Sequence, residues 1–214
     1  MPAVELLDVT KRLRGRLILD AISLAVPTGA CVALVGPNGS GKTMLLRVIA
    51  GLVRPDAGTV RVFGNTLGSA IEFAPETGIL IDRPALLPHL NGWQNLWLLA
   101  CVNRVTSREE ARELLRRVGL DPDDRRPVRN WSLGMRQRLG IAEALLDRPR
   151  LLLLDEPTNA LDERGREQVL SVLAERKREG VTMVLTTHDE RMVSWLAEGV
   201  VRLEAGRIVE CSWK

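Results

Sequence analysis

The sequence lacks the features that would place it in a membrane or give it a disulfide framework. No apolar run in the 214 residues approaches the roughly 18 that a membrane-spanning helix needs. The N-terminus lacks the basic and apolar regions of a signal peptide. Three scattered cysteines, Cys31, Cys101 and Cys211, have no metal-binding spacing and would leave one thiol unpaired in any disulfide scheme. We therefore expect a protein of the reducing cytoplasm, with Cys31 in a core strand.

Charge imbalance, internal repeats and low-complexity segments are also missing. The formal net charge is only +3 at pH 7, and arginines are interspersed with acidic residues along the chain. Such a pattern is typical of solvated surfaces, so we expect no nucleic acid partner. The length suits one well-buried domain, with room for an inserted lobe.

Segment 36–43 reads Gly-Pro-Asn-Gly-Ser-Gly-Lys-Thr and matches the phosphate-loop pattern at every specified position. An apolar strand over 30–35 and a helix over 44–50 are predicted around it, which is the context that the motif requires. Glycines allow successive N–H groups to point at phosphate oxygens, and the helix N-terminus adds partial positive charge. A glycine-rich turn with a chance lysine is the alternative, and the flanking pattern disfavours it.

A nucleoside triphosphate is therefore the predicted ligand of this loop. Lys42 is predicted to bridge the β- and γ-phosphates, and the hydroxyl of Thr43 is predicted to hold Mg²⁺. The predicted nucleotide-binding residues of the loop are Gly36, Pro37, Asn38, Gly39, Ser40, Gly41, Lys42 and Thr43.

A second motif follows the apolar run 151–154, where the sequence continues with Asp155 and Glu156. A strand buried on both faces would place Asp155 at its carboxyl end, beside the phosphate loop, where it can hold Mg²⁺ through water. Glu156 would face the γ-phosphate and orient or deprotonate the attacking water. A buried strand that merely ends in acidic residues is the alternative, which the upstream phosphate loop makes less favourable.

The apolar pattern as a whole predicts an α/β protein with a parallel core sheet, because strands alternate with helices on both sides of a helical middle. We assign 1–214 to one domain, with 1–81 and 148–214 as the nucleotide-binding core and 82–147 as a helical subdomain. Ser107 and Glu110 form the signature of a capping box within that subdomain. The predicted strands are 4–9, 17–26, 30–35, 58–64, 78–81, 151–154, 181–186, 200–203 and 207–210, and the predicted later helices are 163–179 and 190–197.

The order of the motifs resembles that of an ATP-binding-cassette (ABC) ATPase domain over essentially the whole chain. The segments that carry the resemblance are 36–43, 131–138 (Trp-Ser-Leu-Gly-Met-Arg-Gln-Arg), 151–157, 159–162 and Thr187-His188. The Ser-x-Gly-x-x-Gln-Arg element is the discriminating one, because other phosphate-loop proteins lack it. The resemblance implies a RecA-like parallel core with an N-terminal antiparallel β-subdomain and an inserted α-helical lobe.

The resemblance also implies roles for residues outside the phosphate loop. In the family two domains pair head to tail, so Ser132 and Gly134 of one would cap the γ-phosphate held by Lys42 of the other. Asp162 would lie on the dimer seam and couple the two sites. His188 would contact the γ-phosphate and hold the geometry that activates water. As an isolated residue, His188 would more often be a structural histidine.

Three departures from the family pattern stand out. Asp82 occupies the position of a glutamine that senses Mg²⁺ and water, and an aspartate there can still ligate the ion. Leu133 and Met135 replace the usual Gly and Gln, and this Ser-Leu-Gly-Met form resembles the antibiotic and multidrug exporter branch. The chain has no tyrosine, and Leu13 stands where an aromatic residue normally stacks on adenine. Apolar contact at Leu13, or a guanidinium of Arg14 or Arg16, would then hold the base, with modest selectivity for ATP over GTP.

Segment 83–90 is an apolar loop with prolines at Pro84 and Pro88, which should make it stiff. Its leucines, at 86, 87 and 90, are predicted to form a docking groove for a membrane subunit. The alternative is that they tuck under the helical lobe. On the following helix, Trp97 is predicted to fill the core of the lobe, whereas Trp93 could lie in the core or beside the docking groove.

The resemblance implies the ATP-hydrolysing subunit of an ABC transporter, with an exporter favoured, using ATP and Mg²⁺. Its partners would be a second nucleotide-binding subunit, forming a homodimer, and a separately encoded transmembrane permease on whose cytoplasmic face it sits. A non-transport ABC ATPase acting on nucleic acid or ribosomes is the alternative, although such relatives generally carry two cassettes or long coiled-coil insertions. A degenerate module that binds ATP without turnover is disfavoured by intact Lys42, Asp155, Glu156 and His188.

Overall fold

The computed structural model describes residues 1–69, 71–103 and 106–214, which form two β-sheets and six α-helices within these ranges. In chain order the elements are β1 (Pro2–Leu13), β2 (Arg16–Pro27), β3 (Cys31–Val35), α1 (Lys42–Ala50), β4 (Ala57–Val62), β5 (Asn65–Thr66), β6 (Thr77–Leu80), α2 (Gly92–Asn103), α3 (Arg108–Arg117), a 3-10 turn (Val128–Asn130), α4 (Leu133–Leu145), β7 (Leu151–Asp155), α5 (Glu163–Arg178), β8 (Thr182–Thr186), α6 (Glu190–Leu196), β9 (Gly199–Glu204) and β10 (Arg207–Trp213).

The smaller sheet is the antiparallel N-terminal unit that the sequence predicts, with strand order β2-β1-β4-β5. A tight turn joins β1 to β2, and both of its residues, Arg14 and Gly15, have positive φ angles of 51° and 78°. Positive φ at both central positions is what a two-residue hairpin needs to match the twist of its strands. The two-residue strand β5 was not predicted from the apolar pattern.

The larger sheet has the order β10-β9-β3-β8-β7-β6, and every pairing from β9 to β6 is parallel. The parallel core is therefore confirmed. The closing hairpin of β9 and β10 is confirmed as well, but the pattern did not predict that β9 pairs in parallel with β3. Because parallel strands end at the same edge, the segments that follow β3, β8, β7 and β6 leave the sheet side by side.

Side chains of the central strands alternate between two apolar clusters, one on each face of the sheet. In β7, Leu152 and Leu154 face the cluster that includes the helical lobe, whereas Leu151 and Leu153 face the cluster beside the antiparallel sheet. This period of two is the reason that a fully apolar strand is stable here. Cys31 is buried in β3, and burial raises the pKa of its thiol to about 12. Its thiol is therefore an apolar core group, as predicted.

The helical lobe packs directly on the sheet. A Cβ atom at Gly78 of β6 would lie 1.8 Å from the carbonyl oxygen of Ala144 in α4, so only glycine permits this approach. Ser107 caps α3 with both hydrogen bonds of the predicted capping box. Trp93 and Trp97 stack with ring centroids 5.4 Å apart and pack against the core while remaining partly exposed. No helix in the part of the chain that the structure describes is long and apolar enough to cross a membrane.

Candidate active site

The phosphate loop, the Asp155-Glu156 pair, His188 and Asp82 meet at one edge of the central sheet. The strands β3, β8, β7 and β6 are consecutive neighbours there, and each is followed by one predicted motif. The phosphate loop follows β3, His188 follows β8, Glu156 follows β7 and Asp82 follows β6. Pairing of Asp155 with Thr186 at the ends of β7 and β8 brings the acidic motif beside the histidine motif.

Two glycines fix the shape of the phosphate loop. Gly36 has a φ angle of 139°, and a Cβ atom there would lie 2.1 Å from the carbonyl oxygen of Leu203 in β9. Gly41 has a φ angle of 108°, and a Cβ atom there would lie 2.9 Å from the carbonyl oxygen of Ile18 in β2. Left-handed backbone and close contacts together require glycine at both positions. The loop is therefore held between strands of both sheets.

Lys42 lies inside the loop rather than pointing to solvent. Its side chain is buried, and its ammonium group donates to the carbonyl oxygens of Gly36 at 2.8 Å and Pro37 at 3.1 Å. The buried hydroxyl of Ser40 has no hydrogen-bond partner among the described residues. A buried hydroxyl without a partner is costly unless a ligand satisfies it. The loop thus offers a cation and a free hydroxyl to a phosphate, which fits the predicted ligand.

Thr43 and Asp155 meet at the start of α1. The hydroxyl of Thr43 donates to Oδ2 of Asp155 at 2.9 Å, although the two residues come from different motifs. No cluster of three or more His, Cys, Asp or Glu side chains suited to a metal occurs among the described residues. A cation here would thus depend on hydroxyl, carboxylate and ligand oxygens, the set that Mg²⁺ prefers. The residues therefore fit a magnesium ion held jointly with phosphates.

Glu156 has a strained backbone that its neighbours hold in place. Its φ angle is 46°, in the left-handed region that residues other than glycine rarely adopt. Its N–H donates to the hydroxyl of Thr186 at 3.0 Å, and the buried amide of Gln137 in α4 donates to its carbonyl oxygen at 3.2 Å. Nε2 of His188 lies 3.2 Å from Oε1 of Glu156. The carboxylate is therefore directed toward the histidine.

The motif residues converge on a surface cavity of about 680 Å³. Asn38 of the phosphate loop lines it together with Glu156 and His188, and Arg166 of α5 closes one side. A cavity with this lining can admit a water molecule next to the carboxylate and a phosphate next to the loop. Neither Thr186 nor Gln137 was assigned a role from the sequence. The signal for Thr186 is a buried polar side chain, without exposed surface, at the end of an apolar strand.

Asp82 is at the predicted edge, but its carboxylate is paired with the guanidinium of Arg47 in α1. Its backbone has a φ angle of 62°. Leu13 lies at the end of β1, with 52% of its surface exposed, and Arg14 and Arg16 beside it are exposed as well. A metal role for Asp82 and a base-binding role for Leu13 stay predictions.

The remaining predicted residues cap two helices. Ser132 accepts a hydrogen bond from the N–H of Met135 at 3.1 Å at the start of α4, and Asp162 accepts one from the N–H of Gly165 at 2.8 Å at the start of α5. The two helix starts are adjacent, because a Cβ atom at Gly134 would lie 2.8 Å from the carbonyl oxygen of Ala160. Together they present two positive helix ends at one surface.

Residues 19–159 match the protein family described as ABC transporter. The chain belongs to the ABC transporter family. It is 37% identical over 205 residues to the uncharacterized ABC transporter ATP-binding protein YybJ of Bacillus subtilis (strain 168), covering 96% of this chain and 94% of that protein. It is 35% identical to the lantibiotic transport ATP-binding protein SrtF of Streptococcus pyogenes, covering 94% of this chain and 87% of that protein.

A solved structure supports the same fold. The dimeric post-hydrolysis state of the ATP-binding cassette MJ0796, bound to ADP and Pi, superposes with a TM-score of 0.89, with 27% identity and 98% of each chain covered. The predicted fold class and the ABC resemblance are therefore confirmed. This chain is an ATP-binding subunit of the family, and none of the similarities given above supports the alternative that acts on nucleic acid or ribosomes.

Proposed function

We propose that this ABC subunit hydrolyses ATP at a head-to-tail dimer interface and so drives a separate membrane permease, with export as the direction. The observation that carries the proposal is the convergence of the phosphate loop, the Thr43–Asp155 pair and the Glu156–His188 pair at one sheet edge. No single motif supplies all three groups. The alternative of a binding module without turnover is disfavoured, because ATP binding alone does not require Glu156 and His188 to lie in contact.

The loop 36–43 would bind the triphosphate of ATP through its N–H groups. Lys42 would exchange its two carbonyl partners for phosphate oxygens, and Ser40 would gain the partner it lacks. When bound, Mg²⁺ would be held by Thr43 and Asp155 and would neutralise charge on the transferred phosphoryl group. The contact with the adenine base would come from Leu13, Arg14 or Arg16.

Glu156 is the group suited to take a proton from the attacking water. The water would enter the cavity that Glu156 shares with His188 and Asn38. A hydrogen bond from Nε2–H of His188 to Oε1 would hold the carboxylate toward this cavity. General base catalysis of this kind contributes roughly 10²–10⁴-fold in rate.

The dimer would complete each site with the helix starts of the partner. Ser132 and Gly134 lie where the N-terminus of α4 reaches the surface, and Asp162 caps the adjacent helix. Backbone N–H groups at such an end attract the γ-phosphate of a facing subunit. The exposed side chain of Leu133 would be covered by the same contact. The dimeric state of the MJ0796 cassette supports this arrangement.

The permease would dock in the groove between the helical lobe and β6. This groove has a volume of about 610 Å³ and is lined by residues of loop 83–90, α1, α2 and α4, among them Leu99 of α2, and by Leu52, which follows α1. Export is favoured by the Ser-Leu-Gly-Met sequence and by the lantibiotic transport relative. The protein would accordingly sit at the cytoplasmic face of the membrane, held by its partner.

The substitution Glu156→Gln tests the proposal, because it keeps the shape of the side chain and removes the base. We expect ATP to bind with parental affinity, turnover to fall by roughly 10²–10⁴-fold, and an ATP-dependent dimer to persist in light scattering after size exclusion. Lys42→Ala is the matched control, in which nucleotide binding and the dimer should both be lost. Turnover of Glu156→Gln at the parental rate would contradict the role of the base.

A further inference from the structure

Thr186 connects the two acidic residues of the site through one hydroxyl group. It is the last residue of β8, and its side chain has no exposed surface. Its hydroxyl donates to Oδ1 of Asp155 at 2.5 Å and accepts from the N–H of Glu156 at 3.0 Å. The N–H of Glu156 also approaches the carbonyl oxygen of Thr186 at 3.2 Å.

The direction of these hydrogen bonds is fixed by chemistry. An N–H group can only donate and an ionised carboxylate can only accept, so the single hydroxyl proton must point to Asp155. The lone pairs of the hydroxyl are then available to Glu156. Valine has nearly the same shape, but it would remove the donor to Oδ1 of Asp155 and leave the N–H of Glu156 with only the carbonyl oxygen of residue 186.

Each hydrogen bond sets a geometry that the reaction needs. The bond to Oδ1 holds one oxygen of Asp155, so Oδ2 remains directed to Thr43, where the cation would be held. The bond from Glu156 supports a backbone conformation with a φ angle of 46°, in the left-handed region that residues other than glycine rarely adopt. The direction of the Glu156 side chain depends on that backbone.

We propose that Thr186 is a positioning residue for ATP hydrolysis, whose hydroxyl aligns the magnesium-binding carboxylate of Asp155 and the basic carboxylate of Glu156 at the same time. This inference rests on the proposed function of those two residues. It goes beyond that function because it assigns the alignment to a side chain that has no exposed surface. The two carboxylates are thereby coupled: a change at one is transmitted to the other through one rigid, buried side chain.

Thr182 provides a matched control on the same strand. It is also without exposed surface, and its hydroxyl accepts a hydrogen bond from the N–H of Gly29 at 2.9 Å at the far end of β8. Thr182→Val and Thr186→Val each remove one threonine hydroxyl from β8. Only the hydroxyl of Thr186 has the proposed role. Thermal stability should fall in both variants, and further in Thr186→Val, because that hydroxyl makes two hydrogen bonds, one of them to a carboxylate.

The test compares Thr186→Val, Thr186→Ser and Thr182→Val in the full chain. We expect Thr186→Val to lower kcat by at least about tenfold, with KM for ATP changed by less than about threefold, because the loss of a residue that orients a metal ligand typically costs 10–100-fold. A readout independent of turnover is ADP binding by calorimetry. The gain in affinity caused by MgCl₂ over EDTA should shrink in Thr186→Val, while binding in EDTA stays at the parental value.

Thr186→Ser should restore kcat and the magnesium effect to within about threefold of the parental protein, and Thr182→Val should leave both unchanged. Parental kcat and magnesium effect in Thr186→Val would overturn the inference. If that variant does not fold, Thr186→Cys replaces it, and equal activity of the Ser and Cys variants would overturn the inference instead. Glu156→Gln is measured alongside, since its activity reports on the proposed function separately.

Discussion

Nε2 of His188 lies 3.2 Å from Oε1 of Glu156, although the two residues follow different strands of the central sheet. The distance results from parallel pairing of β7 with β8, which places Asp155 opposite Thr186. The segments that follow these two strands both line the same cavity. A histidine that holds a carboxylate in this way can fix the direction in which the carboxylate faces water. The pair therefore acts as a unit in the proposed hydrolysis.

His188→Ala should lower ATP turnover by roughly 10²-fold, because the carboxylate of Glu156 loses the partner that orients it. Nucleotide affinity should change only a few fold, since the phosphate loop is untouched. Steady-state ATPase assays and calorimetric binding measure the two effects. His89, the other histidine of the chain, is exposed and lies outside this cavity, so His89→Ala is the control in the isolated subunit. Equal turnover in the two variants would contradict the role of His188.

Asp82→Asn tests whether the carboxylate at the end of β6 serves the magnesium site. The carboxylate is paired with Arg47, and half of its surface is exposed, so the pair itself contributes about 0–1 kcal/mol to stability. If Asp82 leaves Arg47 to approach the ion during turnover, Asn should shift the MgCl₂ concentration for half-maximal ATPase activity severalfold. Arg47→Ala, which frees Asp82, should shift it in the opposite direction. An unaltered magnesium titration in both variants would retire the metal role.

Much of the fold could be predicted because its signals are local. The phosphate-loop motif of 36–43 and the capping box at Ser107 are both recognised from residues that are close in sequence, and the loop before α1 and the capping box both appear in the structure. The proximity of Asp155 to the phosphate loop could also be predicted, because parallel strands end at one edge of a sheet. In the structure the hydroxyl of Thr43 donates to Asp155. Alternation in β7 placed its leucines on both faces of a buried sheet.

The missed features depend on partners that periodicity does not specify. An apolar pattern identifies the buried end of β8, but it does not show that the hydroxyl of Thr186 reaches two residues of another strand. The pairing of Asp82 with Arg47 is missed for the same reason. The parallel position of β9 follows from long-range packing, since a hairpin pattern fixes only the pairing with β10.

Glu143 in α4 predicts a measurable dependence of stability on pH. It lines the groove between the lobe and β6, and burial raises the pKa of its carboxyl from 4.5 to about 7. The folded state therefore binds more protons than the unfolded state between these values, so the free energy of unfolding falls as pH rises from 4.5 to about 7. The expected loss is about 1–3 kcal/mol.

Urea unfolding at pH 5 and pH 8 measures this effect. The difference in unfolding free energy between the two pH values should shrink by about 1–3 kcal/mol in Glu143→Gln, because glutamine carries no charge to desolvate. Glu167 of α5 is exposed, and Glu167→Gln should leave the difference at the parental value. Identical pH profiles for the parental protein and Glu143→Gln would contradict the effect of burial on this carboxyl.

The loop before α2 combines a fixed backbone with an exposed side chain. Asn95 is buried, and its Oδ1 accepts from the N–H of Leu87 at 2.7 Å while its Nδ2 donates to the carbonyl oxygen of Leu87 at 3.2 Å. Leu87 is 38% exposed, whereas Leu86 packs against the core. A stiff loop that presents one leucine beside a groove is suited to anchor an apolar partner helix.

Leu87→Arg should therefore abolish co-purification with the membrane permease of the proposed function, because a charge would be buried in an apolar contact. The fold and the basal ATPase activity of the isolated subunit should be retained, since Asn95 holds Leu87 through hydrogen bonds to its backbone, which the substitution leaves in place. Val209→Arg is the control: Val209 is 52% exposed on β10, at the opposite edge of the sheet from β6, and should leave co-purification intact. Insoluble Leu87→Arg protein would assign Leu87 to the core instead. Full co-purification would move the docking site from Leu87 into the groove itself, and Leu99→Arg, on the α2 side, would then be the variant that separates the partners.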